Sequence, residues 1–216
     1  MTAPGTPRLV RGGLVLLDPL TDTVLRVVPL QYNPDSVTRT FQVRGAGAEA
    51  GARAEALRLT GPPAQTVTLD AELDATDAME RGDPLVGEVG LHAQLAVLEG
   101  LVSPPSAAVL RAAELLATGG IEIAPTPAPL TLFVWSRQRI MPVRVTELSI
   151  VEEAFDPALN PIRAKVHLGL RVSTVNDVGV TSRAGGYAVA QHQRLERLAA
   201  RQPGGTLGQL GIERLR

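Results

Sequence analysis

LQYNPDSVTRTF, residues Leu30 to Phe41, places a polar turn between two apolar runs. Apolar residues lead up to Tyr32, Asn33-Pro34-Asp35-Ser36 interrupts them, and Val37-Thr38-Arg39-Thr40-Phe41 resumes in alternation. Proline fixes φ at a turn value, while Asn, Asp and Ser bond to nearby backbone, so the four residues predict a turn between strands. Its neighbours tell what kind of chain it belongs to.

Upstream, Leu9 to Leu17 and Val24 to Tyr32 are β-like runs separated by the turn-rich Asp18-Pro19-Leu20-Thr21-Asp22, which reads as a β-hairpin. Downstream, Gly45 to Glu55 is small and polar without β-branched residues, and a flexible loop is expected over 45–60. Gln65 to Asp74 then alternates, with Val67, Leu69, Ala71 and Leu73 on one face and Thr66, Thr68, Asp70, Glu72 and Asp74 on the other. That is the pattern of a half-buried strand.

Asp83-Pro84 suits a helix start, with aspartate as cap and proline in the first turn. Leu91, Leu95, Leu98 and Val102 follow at helical spacing until Ser103-Pro104-Pro105 stops them. A second helix is expected from Ser106 to Leu116, ending at Gly119-Gly120, so that 84–118 forms a helical insertion. Pro125, Pro127 and Pro129 predict an extended connector. Leu130 to Trp135 is a strand and Ser136 to Arg139 a polar turn. In the next strand Val143 and Val145 share a face, but Leu148 and Ile150 continue in the opposite phase. One extra residue near Thr146-Glu147 accounts for the slip, so a β-bulge is expected there. After a turn at Phe155 to Pro161, Ile162 to Val172 alternates most regularly, with Arg163, Lys165, His167 and Arg171 on its polar side. Tyr187 to Ala200 reads as a polar helix behind a glycine hinge at Gly185-Gly186, and Leu207, Leu210, Ile212 and Leu215 form an apolar end segment.

Composition narrows the function. The 216 residues carry a formal net charge of −1 and only 3% aromatics, which argues against nucleic-acid binding and base-stacking platforms. There is no cysteine, hence no disulfide, thiolate ligand or cysteine nucleophile. No basic segment followed by an apolar core opens the chain, and no run has the length of a membrane span, so neither a signal peptide nor direct membrane insertion is expected.

Candidate chemistry is sparse. His92, His167 and His192 stand far apart in regular elements, without a nucleophile motif beside them, and read as exposed polar residues. Asp70, Glu72 and Asp74, with Asp77, Glu80 and Asp83 beyond, could offer oxygens to a hard cation, but their spacing matches no calcium loop and a solvated or interface-facing row is favoured. The glycines show no phosphate-loop spacing. Arg137 and Arg139 at the hairpin tip either meet solvent or pair with a neighbouring subunit's carboxylate. No catalytic residues, metal ligands or cofactor-binding residues are therefore assigned, and no enzyme is expected.

Three motifs together resemble the tube-protein family of contractile injection systems. LQYNPDSVTRTF after a hairpin is similar to that family's N-terminal signature, and GPPAQTVTLDAELD (Gly61 to Asp74) to the strand that follows a variable loop. The third is the run from Leu130 to Val172, with Trp135 ending a strand, Phe155-Asp156-Pro157 at a turn, and Pro161-Ile162-Arg163-Ala164-Lys165-Val166 opening the last strand. The match covers about residues 8 to 174. Many family members add a LysM module; Arg183 to Arg216 has no such pattern.

The resemblance implies a mainly β protein: a tail-tube-like split barrel of two packed antiparallel sheets, with one or two outer helices and a C-terminal helical tail. Domain 1–182 would be the β domain and 183–216 a docking extension. Six copies would form a ring in the baseplate of a phage-tail-like particle, adapting the spike hub to the inner tube and initiating tube polymerisation. The main inner-tube subunit is the alternative, and a monomeric ligand-binding β-barrel a more distant one. In the ring reading the opening turn is a β-arch joining core strands. Expected subunit-interface residues are Arg137, Arg139, Arg163, Lys165, Arg171, Tyr32, Asn33 and Pro34; expected docking residues in the tail are Leu195, Leu198, Leu207, Leu210, Ile212 and Leu215. Partners would be the spike hub, inner tube, other baseplate proteins and the sheath, with assembly in the bacterial cytoplasm and the particle then retained or released. Physically, long alternating strands leave a sheet edge that must be blocked, and a closed ring blocks it with the next copy.

Overall fold

The computed structural model describes residues 10–45, 59–118 and 128–215. In chain order the strands are β1 (Gly13–Leu17), β2 (Val24–Pro29), β3 (Val37–Gln42), β4 (Ala64–Asp74), β5 (Leu130–Ser136), β6 (Arg139–Phe155) and β7 (Pro161–Val172). The helices are α1 (Thr76–Glu80), α2 (Pro84–Val89), α3 (His92–Glu99), α4 (Ser106–Ala117), α5 (Val175–Val178) and α6 (Arg183–Ala199). A short 3₁₀ turn, Leu207–Leu210, follows.

The protein is mainly β, as expected, but the strands form one antiparallel sheet of order β2-β1-β5-β6-β7-β4-β3. Two separately packed sheets are replaced by one that is not closed into a barrel. The reason lies in β6. Arg139 to Val143 pair with β5, and Val143 to Phe155 pair with β7, so a single 17-residue strand serves both halves. The predicted bulge is present: Val145 pairs with Leu170 and Glu147 with Gly169, leaving Thr146 unpaired, its hydroxyl donating to the Gly169 carbonyl at 3.2 Å. A second shift falls between Glu152 and Ala154. Bulges bend the strand and raise its local twist, and both halves of the sheet contribute to the same core. Leu14, Phe133, Met141 and Val143 from one half join Val67, Leu69, Val166, Leu168 and Leu170 from the other.

Leu91, Leu95 and Leu98 complete that core. Asp83 caps α2 as expected, its carboxylate accepting the Leu85 and Val86 amides. The predicted continuous helix to Val102 is instead broken at Gly90, which has φ 55°. A Cβ there would lie 2.5 Å from the Pro161 carbonyl oxygen, and Leu91 N–H donates to that same oxygen at 2.8 Å. The β6–β7 turn thus pins the chain and divides the helix. With α4 at Ser106–Ala117 as predicted, the described residues hold six α-helices, α6 among them in the expected helical tail, where one or two outer helices and that tail were expected.

The hinge at Gly185-Gly186 is also corrected. Both glycines lie inside α6, and a Cβ on Gly185 would approach the Gly179 carbonyl oxygen to 2.0 Å, so glycine here permits close packing on α5. The Ser182 side chain caps α6 by accepting from Gly185 N–H. The expected 45–60 loop falls almost entirely on residues outside those described, as do Leu9, Gly119-Gly120, Pro125 and Pro127.

Candidate functional site

The opening stretch joins the two edges of the sheet. Among the described residues β2 and β3 do not pair with each other: β2 pairs with β1 alone, and β3 with β4 alone. The turn is therefore a β-arch, but between edge strands and not core strands as expected.

Three groups hold the arch. Leu30 N–H donates to the Gly12 carbonyl at 2.8 Å. Gln31 makes a paired contact with the end of β4, its Nε2 donating to the Asp74 carbonyl at 2.7 Å and its Oε1 accepting the Asp74 amide at 3.0 Å. Asn33 does the same toward the residues before β1, accepting from Gly12 N–H and donating to the Val10 carbonyl, both at 2.9 Å. Two side-chain amides thus imitate the backbone pairing that is missing where the sheet stays open.

Both edges are exposed. In β2, Val24, Leu25 and Val27 keep 56%, 54% and 58% of their surface. In β3, five of the six residues are exposed, and Arg39 lies over the half-exposed Phe41 ring with its Cζ 5.5 Å from the ring centroid. Unpaired strand edges with apolar side chains invite pairing with another chain.

Beside β2 the open sheet leaves a cavity of about 560 Å³. Leu30, Ala71, Leu98, Val166 and Leu168 floor it, and Arg11, Arg26 and Arg81 line it with Asp74 and Asp77. Those three arginines make no ion pair among the described residues.

The expected interface residues fall in three separate places. Tyr32, Asn33 and Pro34 are in the arch, where Tyr32 is exposed and Pro34 half-buried. Arg137 is exposed in the β5–β6 turn; Arg139 beside it is half-buried, and burial, with the nearby Arg39 guanidinium, draws its pKa below the ordinary arginine value. Arg163, Lys165 and Arg171 lie along β7 and meet carboxylates of their own chain. Arg163 pairs with Asp74 at 3.1 Å, Lys165 with Glu153 at 2.7 Å, and Arg171 with Asp177 at 3.3 Å. The hydrogen bond and charge of Glu153 raise the Lys165 pKa.

Register explains the acidic row on β4. Asp70, Glu72 and Asp74 stand opposite His167, Lys165 and Arg163, and His167 Nδ1 lies 2.6 Å from Asp70 Oδ1. Acids and bases alternate on facing strands in step, so each row has its counter-row within the chain. Asp74 is further fixed by Thr76, whose hydrogen bonds to the carboxylate lower its pKa, with Arg163 adding to the shift.

The tail splits in two. α6 is tied to the body: Gln191 Oε1 accepts the Ile140 amide at 3.1 Å, and Arg183 pairs with Asp22 at 3.3 Å. Leu198 is half-buried and Leu195 exposed. Beyond it Leu207, Leu210, Ile212 and Leu215 are all exposed. Sequence reading missed Gln31, Arg11, Arg26, Arg39 and Arg81, because nothing local marks which distant backbone or cavity a lone polar residue will meet.

No family model matches the chain, and no curated protein matches it. Among solved structures the chain is similar to one from the virion of a native gene transfer agent particle, with 10% identity and a TM-score of 0.28 over 74% of this chain and 90% of that one. A likeness of that size carries no argument about fold or function.

Proposed function

We propose that the chain is a structural protein of a phage-tail-like contractile injection particle. It forms a hexameric baseplate ring that adapts the spike hub to the inner tube and starts tube polymerisation, without catalytic activity of its own. The resemblance of the three sequence motifs supplies the particle class. One structural observation supports an assembling role: a single sheet whose two edge strands, β2 and β3, among the described residues each pair on one side only and expose apolar side chains. Unpaired edges with exposed apolar side chains invite pairing with another chain, and copies joined in a closed ring satisfy them without open-ended growth.

The test is size-exclusion chromatography with light scattering on the purified full chain, followed by two-dimensional class averages of negatively stained particles. Six-fold rings are expected. Long filaments would assign the chain to the main inner tube instead, and a monomer that persists at high micromolar concentration and with the hub protein added would overturn the ring.

A further inference from the structure

The turn between β6 and β7 is firmly held, yet strained at an exposed leucine. The Asp156 carboxylate accepts the Ala158 and Asn160 amides and Asn160 Nδ2, all at 2.8 Å, and Leu159 N–H closes on the Asp156 carbonyl at 3.0 Å. Asn160 Nδ2 also donates to the Glu88 carbonyl at 3.2 Å, which ties the turn to α2. Leu159 takes φ 65°, a left-handed value that suits glycine and strains a leucine. Its surface is 76% exposed, so packing among the described residues does not offset that strain. A preformed turn that presents a strained apolar residue loses little conformational entropy on docking.

Charge along β6 is divided by position. From Arg137 to Thr146 the sequence has Arg137, Arg139 and Arg144 and no acid; from Glu147 to Asn160 it has Glu147, Glu152, Glu153 and Asp156 and no base. Glu153 meets Lys165, but Glu88, Glu152 and Asp156 make no ion pair among the described residues. The Asn160 side chain and amide hold the Asp156 pKa below the ordinary carboxylate value, with His92 adding to the shift, so the turn keeps its negative charge. At the other end Arg144 stands opposite Arg171, whose Asp177 is shared with Arg44, and Arg144 itself has no ion pair among the described residues.

That end holds an open groove of about 1160 Å³ between α4 and the sheet, lined by Leu101, Val109, Leu130, Val143 and Val145 with Arg144 and Arg183. No carboxylate is among its lining residues, and Arg183 already pairs with Asp22 at 3.3 Å. Val143 and Val145 pair with Val172 and Leu170, whereas Phe155 pairs with Pro161 at the turn. The ten positions of β6 between Val145 and Phe155 span about 33 Å, so the turn cannot enter the groove of its own chain.

We propose that the β6–β7 turn of one copy docks in the α4 groove of another copy, with Leu159 on the apolar lining and Glu88 and Glu152 facing Arg144. The occupant is a second copy because turn and groove carry complementary charge and sit at opposite ends of the same two strands. The contact is heterologous and fixes a single polarity between copies. It uses neither sheet edge, so it adds to the edge contacts of the proposed ring, and it rests on that reading only in taking copies of this chain as partners.

The absence of cysteine allows a direct test on full-length chains. One variant carries Leu159→Cys and another Val109→Cys; Val109 is exposed on α4 and lines the groove. Mild oxidation of an equimolar mixture should give a disulfide-linked dimer on a non-reducing gel, at least tenfold above a control with Val24→Cys, exposed on β2, in place of Val109→Cys. Leu159→Gly separates contact from stability: glycine accepts the positive φ, so the variant should melt no lower, while association by sedimentation velocity should weaken by about tenfold or more. Arg144→Glu on one chain, and Glu88→Arg with Glu152→Arg on another, should each abolish that association, and mixing the two should restore it. Equal crosslinking in the control, a chain with both cysteines that closes only on itself, or full association by Leu159→Gly would overturn the proposal. Six-fold rings without the crosslink would sink this contact alone; crosslinked copies without rings would sink the ring and leave this contact standing.

Discussion

Gln31 gives the most direct test of how the arch is held. Replacing it by alanine removes a donor to the Asp74 carbonyl and an acceptor from the Asp74 amide, at 2.7 and 3.0 Å. Both bonds are partly buried, and each such bond contributes about 0.5–1.5 kcal/mol net. The expected loss is therefore about 1–3 kcal/mol, the upper part applying if water reaches the freed Asp74 groups poorly. For a chain of this size each kcal/mol moves the melting temperature by about 2–4 °C, so Gln31→Ala should melt about 4–8 °C lower for a central loss of about 2 kcal/mol. Urea titration should show a lower midpoint with an unchanged slope, since the surface exposed on unfolding stays the same. Concentration must be kept where assembly does not add to stability. Hydrogen exchange supplies the local readout: the Asp74 amide should lose protection while core amides of β7 fall only by the global change. A variant within about 0.5 kcal/mol of the parent with the Asp74 amide still protected would refute the reasoning. Asn33→Ala, which loses the equivalent pair to Gly12 and Val10, should behave alike.

Phe133 is 1% exposed and stacks on Trp135 with ring centroids 6.0 Å apart; Phe133→Ala should cost about 3–5 kcal/mol by chemical denaturation. Gly185→Ala and Gly186→Ala should differ in sign. The first drives a methyl into the Gly179 carbonyl and should lower the melting temperature, while the second meets nothing within 4 Å and should gain about 0.5–1 kcal/mol from helix propensity. The Asp177 carboxyl is held below its usual pKa, first by the Thr174 backbone amide, then by the Thr174 hydroxyl and Arg171. A pKa lowered on folding stabilises the protein above the unfolded carboxylate value and loses that contribution as pH falls through the folded one. Urea midpoints should therefore decline below about pH 4, and Asp177→Asn should flatten part of that decline while lowering the midpoint at pH 7.

What the sequence disclosed follows from the range of the interactions concerned. Alternation over Gln65–Asp74 and Ile162–Val172 placed the buried faces of β4 and β7 correctly, because strand period depends on each residue's own environment. The bulge at Thr146 was legible for the same reason: a bulge interrupts a strand's period, and the interruption is printed in Val145 and Leu148. The break at Gly90 was not, since it depends on the Pro161 carbonyl, 71 positions away along the chain by residue number. Nor could Asp70, Glu72 and Asp74 be assigned to His167, Lys165 and Arg163 before the register of β4 on β7 was known. The arch signalled a turn through Asn33-Pro34-Asp35-Ser36, yet its topology depended on partners of Gln31 and Asn33 that lie in other strands.

The distribution of satisfied and unsatisfied groups bears on where the proposed assembly would act. On the outer face of β4 and β7, Arg163 and Lys165 meet carboxylates of their own chain, and exposed pairs of this kind contribute little to stability. They neither hold the fold together nor leave much for a partner to recognise, which weighs against Arg163, Lys165 and Arg171 as the residues that choose a neighbour. The edges differ. Among the described residues β2 and β3 present unpaired backbone on one side with exposed Val24, Leu25, Val27 and Phe41 beside it, and the cavity arginines Arg11, Arg26 and Arg81 make no ion pair there. Burying apolar surface contributes about 25 cal/mol per Å², far more per residue than an exposed ion pair. In the proposed ring, selection of a neighbour would therefore rest with the sheet edges and the arch that ties them, while β6, which carries both halves of the sheet, sets the distance between those edges.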